Sequence, residues 1–148
     1  MKIAIGNEHG GVELKQHIVK YLTDKGYEMT DLGSDDPIYA NIAIKVGTAV
    51  AAGEYDRGIL ICGTGMGISI VACKVKGIRV CTCSDVYSAE MSKRHNNSNI
   101  LTMGALVVGT EKAKMIARYW LTAEFEGGRH QRRIDMIEKI ENGEAPDA

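Results

Sequence analysis

Residues 59 to 69 read ILICGTGMGIS: an apolar run closing on a cysteine, then a threonine set between glycines. A buried strand has no use for so many glycines, and an ordinary turn rarely needs a cysteine at its lip. The stretch therefore parses as strand, tight loop and helix start, and that pattern extends in both directions. Upstream, KIAIG (2 to 6) reads as a short buried strand, and Leu14, Ile18, Tyr21 and Leu22 recur at helical spacing until DKG stops the helix at Gly26. YEMTDLG (27 to 33) fits a second strand. After a polar loop containing Pro37, Ile42, Val46 and Val50 stand four apart over 41 to 52, with Gly53 as a stop. GILIC (58 to 62) is the third strand, and its helix starts inside the glycine loop and runs to about Lys74. GIRVCTC (77 to 83) is the fourth, Ser84 or Asp85 can cap a helix over 86 to 95, and NILTMGA supplies the fifth. Thr110 precedes a helix with Ala113, Ile116, Ala117 and Trp120. A last helix over 129 to 142 carries Ile134, Ile137 and Ile140, before a frayed tail at 143 to 148.

Five strands alternating with helices imply an α/β, Rossmann-like three-layer sandwich, because parallel strands need crossover connections and helices supply them. One domain over 1 to 148 is expected, with no internal repeat or linker. Ligands of such sheets bind beyond the carboxyl ends of the strands, near a switch in strand order. That rule singles out NEHGG, CGTGMG and SDVYS, the loops after strands one, three and four.

Composition narrows the function. With 45% apolar residues the chain can bury a substantial core, and its 18 basic and 19 acidic side chains are interspersed, for a formal charge of −1. No global field favours nucleic acid or an acidic membrane surface, so any anion site must be local. No apolar run is long enough to span a bilayer, and MKIAIGNEHGG reaches Gly6 too soon for a signal-peptide core, so a soluble, cytoplasmic protein is expected. Cys62, Cys73, Cys81 and Cys83 are then reduced thiols; neither CxxC nor a paired Cys/His spacing occurs, and no metal site is expected.

Gly63, Gly65 and Gly67 let the backbone approach a ligand closely, and the helix start beyond them offers unpaired N–H groups: either an anion cradle or a tight strand-to-helix turn. GTGMG lacks the lysine and length of a P-loop and does not match GxGxxG. Cys62 stands where the same helix start would favour a thiolate, lowering its pKa from the ~8.5 of a free cysteine; its alternative is core filler. Cys73, Cys81 and Cys83 read as packing residues, the last two on one face of a strand. His95 either caps a helix C-terminus as a cation or acts as an acid/base group. His9 lies in the right loop for a ligand contact, whereas His17 lies mid-helix on the surface. Arg129 and Arg133, four apart, could clamp a phosphate, or form a solvated basic stripe balanced by Glu126 and Asp135.

Together, the loop after strand one, ILICGTGMGISI, KGIRV, HNNSN and EFEGGRHQRRIDMI resemble, in order and spacing, the type B ribose-5-phosphate isomerases and their galactose-6-phosphate and allose-6-phosphate relatives. The resemblance covers about residues 2 to 140. It implies an aldose–ketose isomerase that opens the sugar ring and moves a proton between C1 and C2 through a cis-enediolate, without metal or organic cofactor. By the same resemblance Cys62 is the base, and His95 opens the ring with Asn96 beside it. Thr64 contacts a hydroxyl or assists ring opening. The amides of Gly63, Gly65, Met66 and Gly67 hold the enediolate oxygen, an oxyanion hole in function. His9, Arg129 and Arg133 correspond to phosphate ligands, with Glu8 in the acid position before His9, and Tyr39 to a pocket tyrosine. Homodimers or homotetramers with sites shared between subunits are implied.

Several positions depart from that pattern. Glu8 stands where an aspartate is usual, Tyr39-Ala40-Asn41 replaces Tyr-Pro-Asp, Cys73 replaces a frequent asparagine, and Leu106 takes the place of an arginine that helps hold phosphate. Ribose 5-phosphate is the expected substrate. The rivals are a hexose 6-phosphate, a free sugar, and a non-catalytic sugar-phosphate binding module. Thiol-redox sensing at Cys62 lacks a resolving partner.

Overall fold

The computed structural model describes residues 1–33 and 36–147. Ser34 and Asp35, in the polar loop expected around Pro37, and Ala148 of the tail lie outside the described residues. Five strands, β1 (Lys2–Asn7), β2 (Glu28–Asp31), β3 (Arg57–Cys62), β4 (Val80–Thr82) and β5 (Ile100–Gly104), form one sheet in the order β2-β1-β3-β5-β4. Every pairing is parallel. The crossovers are α1 (Val12–Asp24), α2 (Tyr39–Ala51), α3 (Met66–Ala72) and α4 (Val86–Asn96). α5 (Thr110–Thr122) follows β5, and α6 (Arg129–Glu141) packs against α4.

β3 is buried at all six positions, as the apolar run after Arg57 requires of a central parallel strand; Arg57 itself donates to the Trp120 and Leu121 carbonyls. Its side chains alternate between two layers. Ile59 and Ile61 join Ile3, Ile5, Leu101, Met103 and the inner faces of α1 and α5, while Leu60 and Cys62 join Ala4, Ile42, Val46 and Ile68 on the α2/α3 side. The strand's period thus delivers the Cys62 thiol to the α2/α3 layer at the strand's exit. On the opposite layer Trp120 is fully buried, and its Nε1–H donates to Ser98 Oγ at 2.8 Å. Burying an indole removes on the order of 200 Å² from water, about 5 kcal/mol as an upper figure.

Some boundaries differ from expectation. The fourth strand is three residues long, not the stretch 77 to 83, because the backbone before it bonds to side chains: Gly77 N–H to the Glu141 carboxylate at 3.2 Å and Arg79 N–H to Asn99 Oδ1 at 2.8 Å. Helix α3 stops at Ala72 rather than Lys74, because the Lys74 and Val75 amides turn to the i−3 carbonyls of Val71 and Ala72. That early stop leaves Cys73 exposed, so it is not the packing residue expected. Cys83 is buried and Cys81 partly so against the α1/α5 layer. The loop after β1 holds an unforeseen 3-10 turn over His9–Gly11.

Candidate active site

The strand order reverses between β1 and β3, and their carboxyl ends carry the two suspected loops. A cavity of about 370 Å³ opens there, lined by Glu8, His9 and Gly10 from the first loop, Cys62, Gly63, Thr64 and Gly67 from the second, with Tyr39 and Leu106. Cys62 is only 5% exposed, yet it borders this cavity and its Sγ accepts the Gly65 N–H at 3.1 Å. That bond depends on Gly65 adopting φ +81°, the left-handed region, at the N-cap of α3. A side chain there would also lie 2.9 Å from the Met103 carbonyl carbon. Gly67 serves differently: it lets the Tyr39 ring lie flat against the start of α3, where a Cβ would come within 2.7 Å of the ring.

Two of the loop amides expected to face a substrate oxygen are already engaged. The Gly65 N–H points at sulfur, and the Met66 N–H donates to Thr64 Oγ1 at 3.2 Å. Thr64, exposed, keeps its own O–H to donate. The Met66 side chain borders a neighbouring cavity of about 250 Å³ with Thr82, Cys83 and Ser84. That cavity is where the loop after β4 enters.

Glu8 is 8% exposed, and its extra methylene folds the carboxylate back on its own loop. Oε1 accepts the Gly10 N–H at 2.7 Å, and Oε2 lies 3.0 Å from His9 Nδ1. The pairing makes His9 Nδ1 the protonated nitrogen and turns Nε2 outward. Asn41 does not reach this cavity; its Nδ2 donates to Asp36 at 2.8 Å, and that bond, with the Ile38 N–H, holds the Asp36 carboxyl below its ordinary pKa. The loop after β5 belongs to the site as well. Ala105 N–H donates to the Cys62 carbonyl at 2.8 Å and Leu106 N–H to that of Gly63 at 3.0 Å, and the Leu106 side chain stands 86% exposed at the rim.

The remaining expected residues are elsewhere. α4 runs back to the amino edge of the sheet, so His95 and Asn96 lie beside the start of β5, where Asn99 carbonyl accepts the Gly58 N–H. From Gly58 to Cys62 the strand alone climbs roughly 13 Å. At that far edge the His95 and His130 rings stack, centroids 4.3 Å apart and planes at 11°. Glu126 faces both from 3.9 Å. The Arg94 Nε–H donates to Glu126 at 2.8 Å and holds its carboxyl below the usual range, while burial, then the neighbouring His95, push the His130 pKa down. Arg129 and Arg133 project from the first turns of α6 and, among the described residues, have no carboxylate within salt-bridge distance. Glu126 is engaged by Arg94, and Asp135 accepts from Gln131, so the balanced stripe is not formed.

The parallel α/β sheet places a thiol and a carboxylate–imidazole pair beside a cavity at its switch point, where sheets of this kind bind small molecules, and no helix of the described residues is long and apolar enough to cross a membrane. Known proteins agree. Residues 3–137 match the Ribose/Galactose Isomerase family. Ribose-5-phosphate isomerase B of Escherichia coli (strain K12) is 52% identical over 143 residues, 95% of this chain and 96% of that protein. Clostridium thermocellum ribose-5-phosphate isomerase B superposes with a TM-score of 0.94 at 49% identity, covering 97% of this chain and 99% of the other. The Mycoplasma genitalium enzyme with bound ribulose-5-phosphate gives 0.91 at 37% identity, covering 95% and 96%. The chain belongs to the ribose/galactose isomerase family.

Proposed function

We propose that this protein is a cytoplasmic aldose–ketose isomerase that interconverts ribose 5-phosphate and ribulose 5-phosphate, with Cys62 as the base that carries the proton between C2 and C1. The observation that carries the reading is the Gly65 N–H aimed at a sulfur bordering the cavity. An N–H donor aligned on sulfur fixes the atom at the edge of the cavity and would favour negative charge as it develops there. A sugar C2 proton becomes acidic enough only when its carbonyl is polarised; the Thr64 hydroxyl and the first free amides of α3, from Gly67 onward, are the donors on hand. All four cysteines are free, as a reducing cytoplasm keeps them.

Ring opening by His95, with Asn96 beside it, and phosphate binding by Arg129 and Arg133 need those groups above Cys62, yet within one chain they lie beyond the far edge of the sheet. A homodimer answers this if each cavity is completed by α4 and α6 of the partner. Exposed Tyr39, Met66, Leu106 and Val107 around the cavity supply apolar surface for such a contact. His9 Nε2 then joins the two arginines on the phosphate.

A second reading changes the sugar. Leu106 gives the rim an apolar face, and the matched family is described as one of ribose and galactose isomerases. A hexose phosphate fits that wall if its extra carbon carries the phosphate past Leu106. Rates over a panel of tetrose, pentose and hexose phosphates decide between the two. The mechanism is tested by solvent deuterium exchange into C2. Wild-type protein should exchange ribose 5-phosphate, and Cys62→Ala should lose about 10² to 10⁴ in kcat while still binding the sugar. Exchange retained by Cys62→Ala removes the thiol from the reaction; no exchange by wild type leaves a binding module.

A further inference from the structure

Nothing in the spacing of His95, Glu126 and His130 resembles a metal motif; only the packing of α6 on α4 brings them together. We propose that these three side chains form a binding site for a divalent first-row transition ion of the zinc type. One ligand atom from each lies within 4.8 Å of the others, and the group contains no thiol. His95 Nε2 is 3.9 Å from Glu126 Oε2, and His130 Nε2 is 3.9 Å from Glu126 Oε1. Bonds of about 2.0–2.1 Å meeting at a tetrahedral centre separate ligand atoms by roughly 3.4 Å, so the edge from His130 to Oε1 closes by about half an ångström, while His95, which faces the other oxygen and whose ligand atom lies within 4.8 Å of the rest, has farther to move.

The parts able to move are the right ones. His130 is fixed by burial, with 8% of its side chain exposed, whereas His95, at 36%, ends a helix and can tilt out of the stack to turn its lone pair toward a shared ion. The Arg94 bond to Oε2 orients the carboxylate and leaves Oε1, the oxygen facing His130 Nε2, for the metal, so His95 must swing from Oε2 toward Oε1 to join it. Two imidazoles and one carboxylate select zinc, cobalt, nickel or copper over magnesium or calcium. Three protein ligands leave a fourth position for water or a sugar oxygen. Arg94, Arg129 and Arg133 stand close enough to act on this cluster, and their charge makes the ion exchangeable rather than structural. Occupation consumes the His95 lone pair. If His95 opens the sugar ring, a consequence that rests on the proposed function, zinc at this site switches the enzyme off reversibly.

Titration of the full chain with Co²⁺ tests the site directly. A visible d–d band without sulfur-to-cobalt charge transfer is expected, and Glu126→Gln, on an exposed segment, should weaken it by more than about tenfold, the loss even an outer-shell partner brings. His130→Gln should do the same, with circular dichroism confirming that both variants are folded. A band unchanged in Glu126→Gln, or one dominated by thiolate charge transfer, overturns the proposal. In the second arm, Zn²⁺ should lower the isomerisation rate and EDTA restore it. Cobalt binding that depends on Glu126, without zinc inhibition, upholds the site and overturns only the role of His95.

Discussion

The carboxyl edge of the sheet and its amino edge carry the two clusters of candidate site residues, and they are built by different means. At the carboxyl edge backbone does the positioning: the Gly65 amide on sulfur, the Ala105 and Leu106 amides on the carbonyls of Cys62 and Gly63, and the Glu8 carboxylate on the Gly10 amide. Around His95 the positioning is side chain on side chain, through Arg94, Glu126 and the stacked His130. Backbone hydrogen bonds on a central strand leave the Cys62 thiol little freedom, which is what the proposed base would require. Groups that grip phosphate or open a ring work through long side chains, and a helix end suffices. The difference teaches that this chain carries a rigid cluster and an adjustable one at opposite edges of its sheet, which the proposed dimer would bring together.

Removing the adjustable half should have the largest effect. Arg129→Ala with Arg133→Ala is expected to cut kcat/KM for ribose 5-phosphate about a hundredfold or more, since each charged hydrogen bond contributes about 1.5–3 kcal/mol, with little change in melting temperature. Equal losses toward an unphosphorylated sugar would show that the pair does not grip phosphate. Next, Gly65→Ala attacks the rigid half. A left-handed φ and a Cβ 2.9 Å from the Met103 backbone should cost about 2 kcal/mol in denaturant unfolding and take most of kcat with it, because the amide swings off sulfur. Full activity in that variant would dissolve the contrast between the edges.

Ser98→Ala sharpens it at the amino edge. Ser98 Oγ accepts from the buried Trp120 Nε1–H at 2.8 Å and lies 2.9 Å from Ser92 Oγ, so its loss strands a buried donor at a cost of about 1–3 kcal/mol. The smallest effect is electrostatic. Burial, helped by Arg57 and Arg79, lowers the Lys93 pKa from the ordinary 10.5 to about 8. Between those values the unfolded chain binds more protons than the folded one, so stability rises with pH from about 8 to 10.5. Lys93→Met should therefore gain about 1 kcal/mol at pH 7, allowing for solvent screening, and the gain should fade toward pH 10.5. A pH-independent difference between variant and wild type would contradict this.

Much of this was legible in the sequence, and the illegible parts share a cause. The apolar run before Cys62, the four-residue spacing of α2 and the Asp85 cap are local signals, and each produced its element. Strand order is not local: nothing in NILTMGA says that β5 inserts between β3 and β4, and so nothing announced that Ala105 and Leu106 would hold the Cys62 loop. The shortness of β4 likewise rests on Asn99 and Glu141 reaching Gly77 and Arg79 from distant segments. His95 looked like a neighbour of Cys62 only through family likeness; the direction of α4 puts it at the opposite edge of its own chain, and its true neighbours, Glu126 in the loop before α6 and His130 in the first turn of α6, come some thirty residues later.

The central claim is that one thiol edge and one imidazole edge, from two copies, make each working site. Mixing Cys62→Ala with His95→Ala protein under subunit exchange tests it. Each variant alone should be nearly inactive, and the mixture should regain about a quarter of the wild-type rate, since half of the randomly formed two-fold dimers are mixed and each holds one intact site. No recovery in a mixture shown by mass spectrometry to contain mixed dimers would contradict the account.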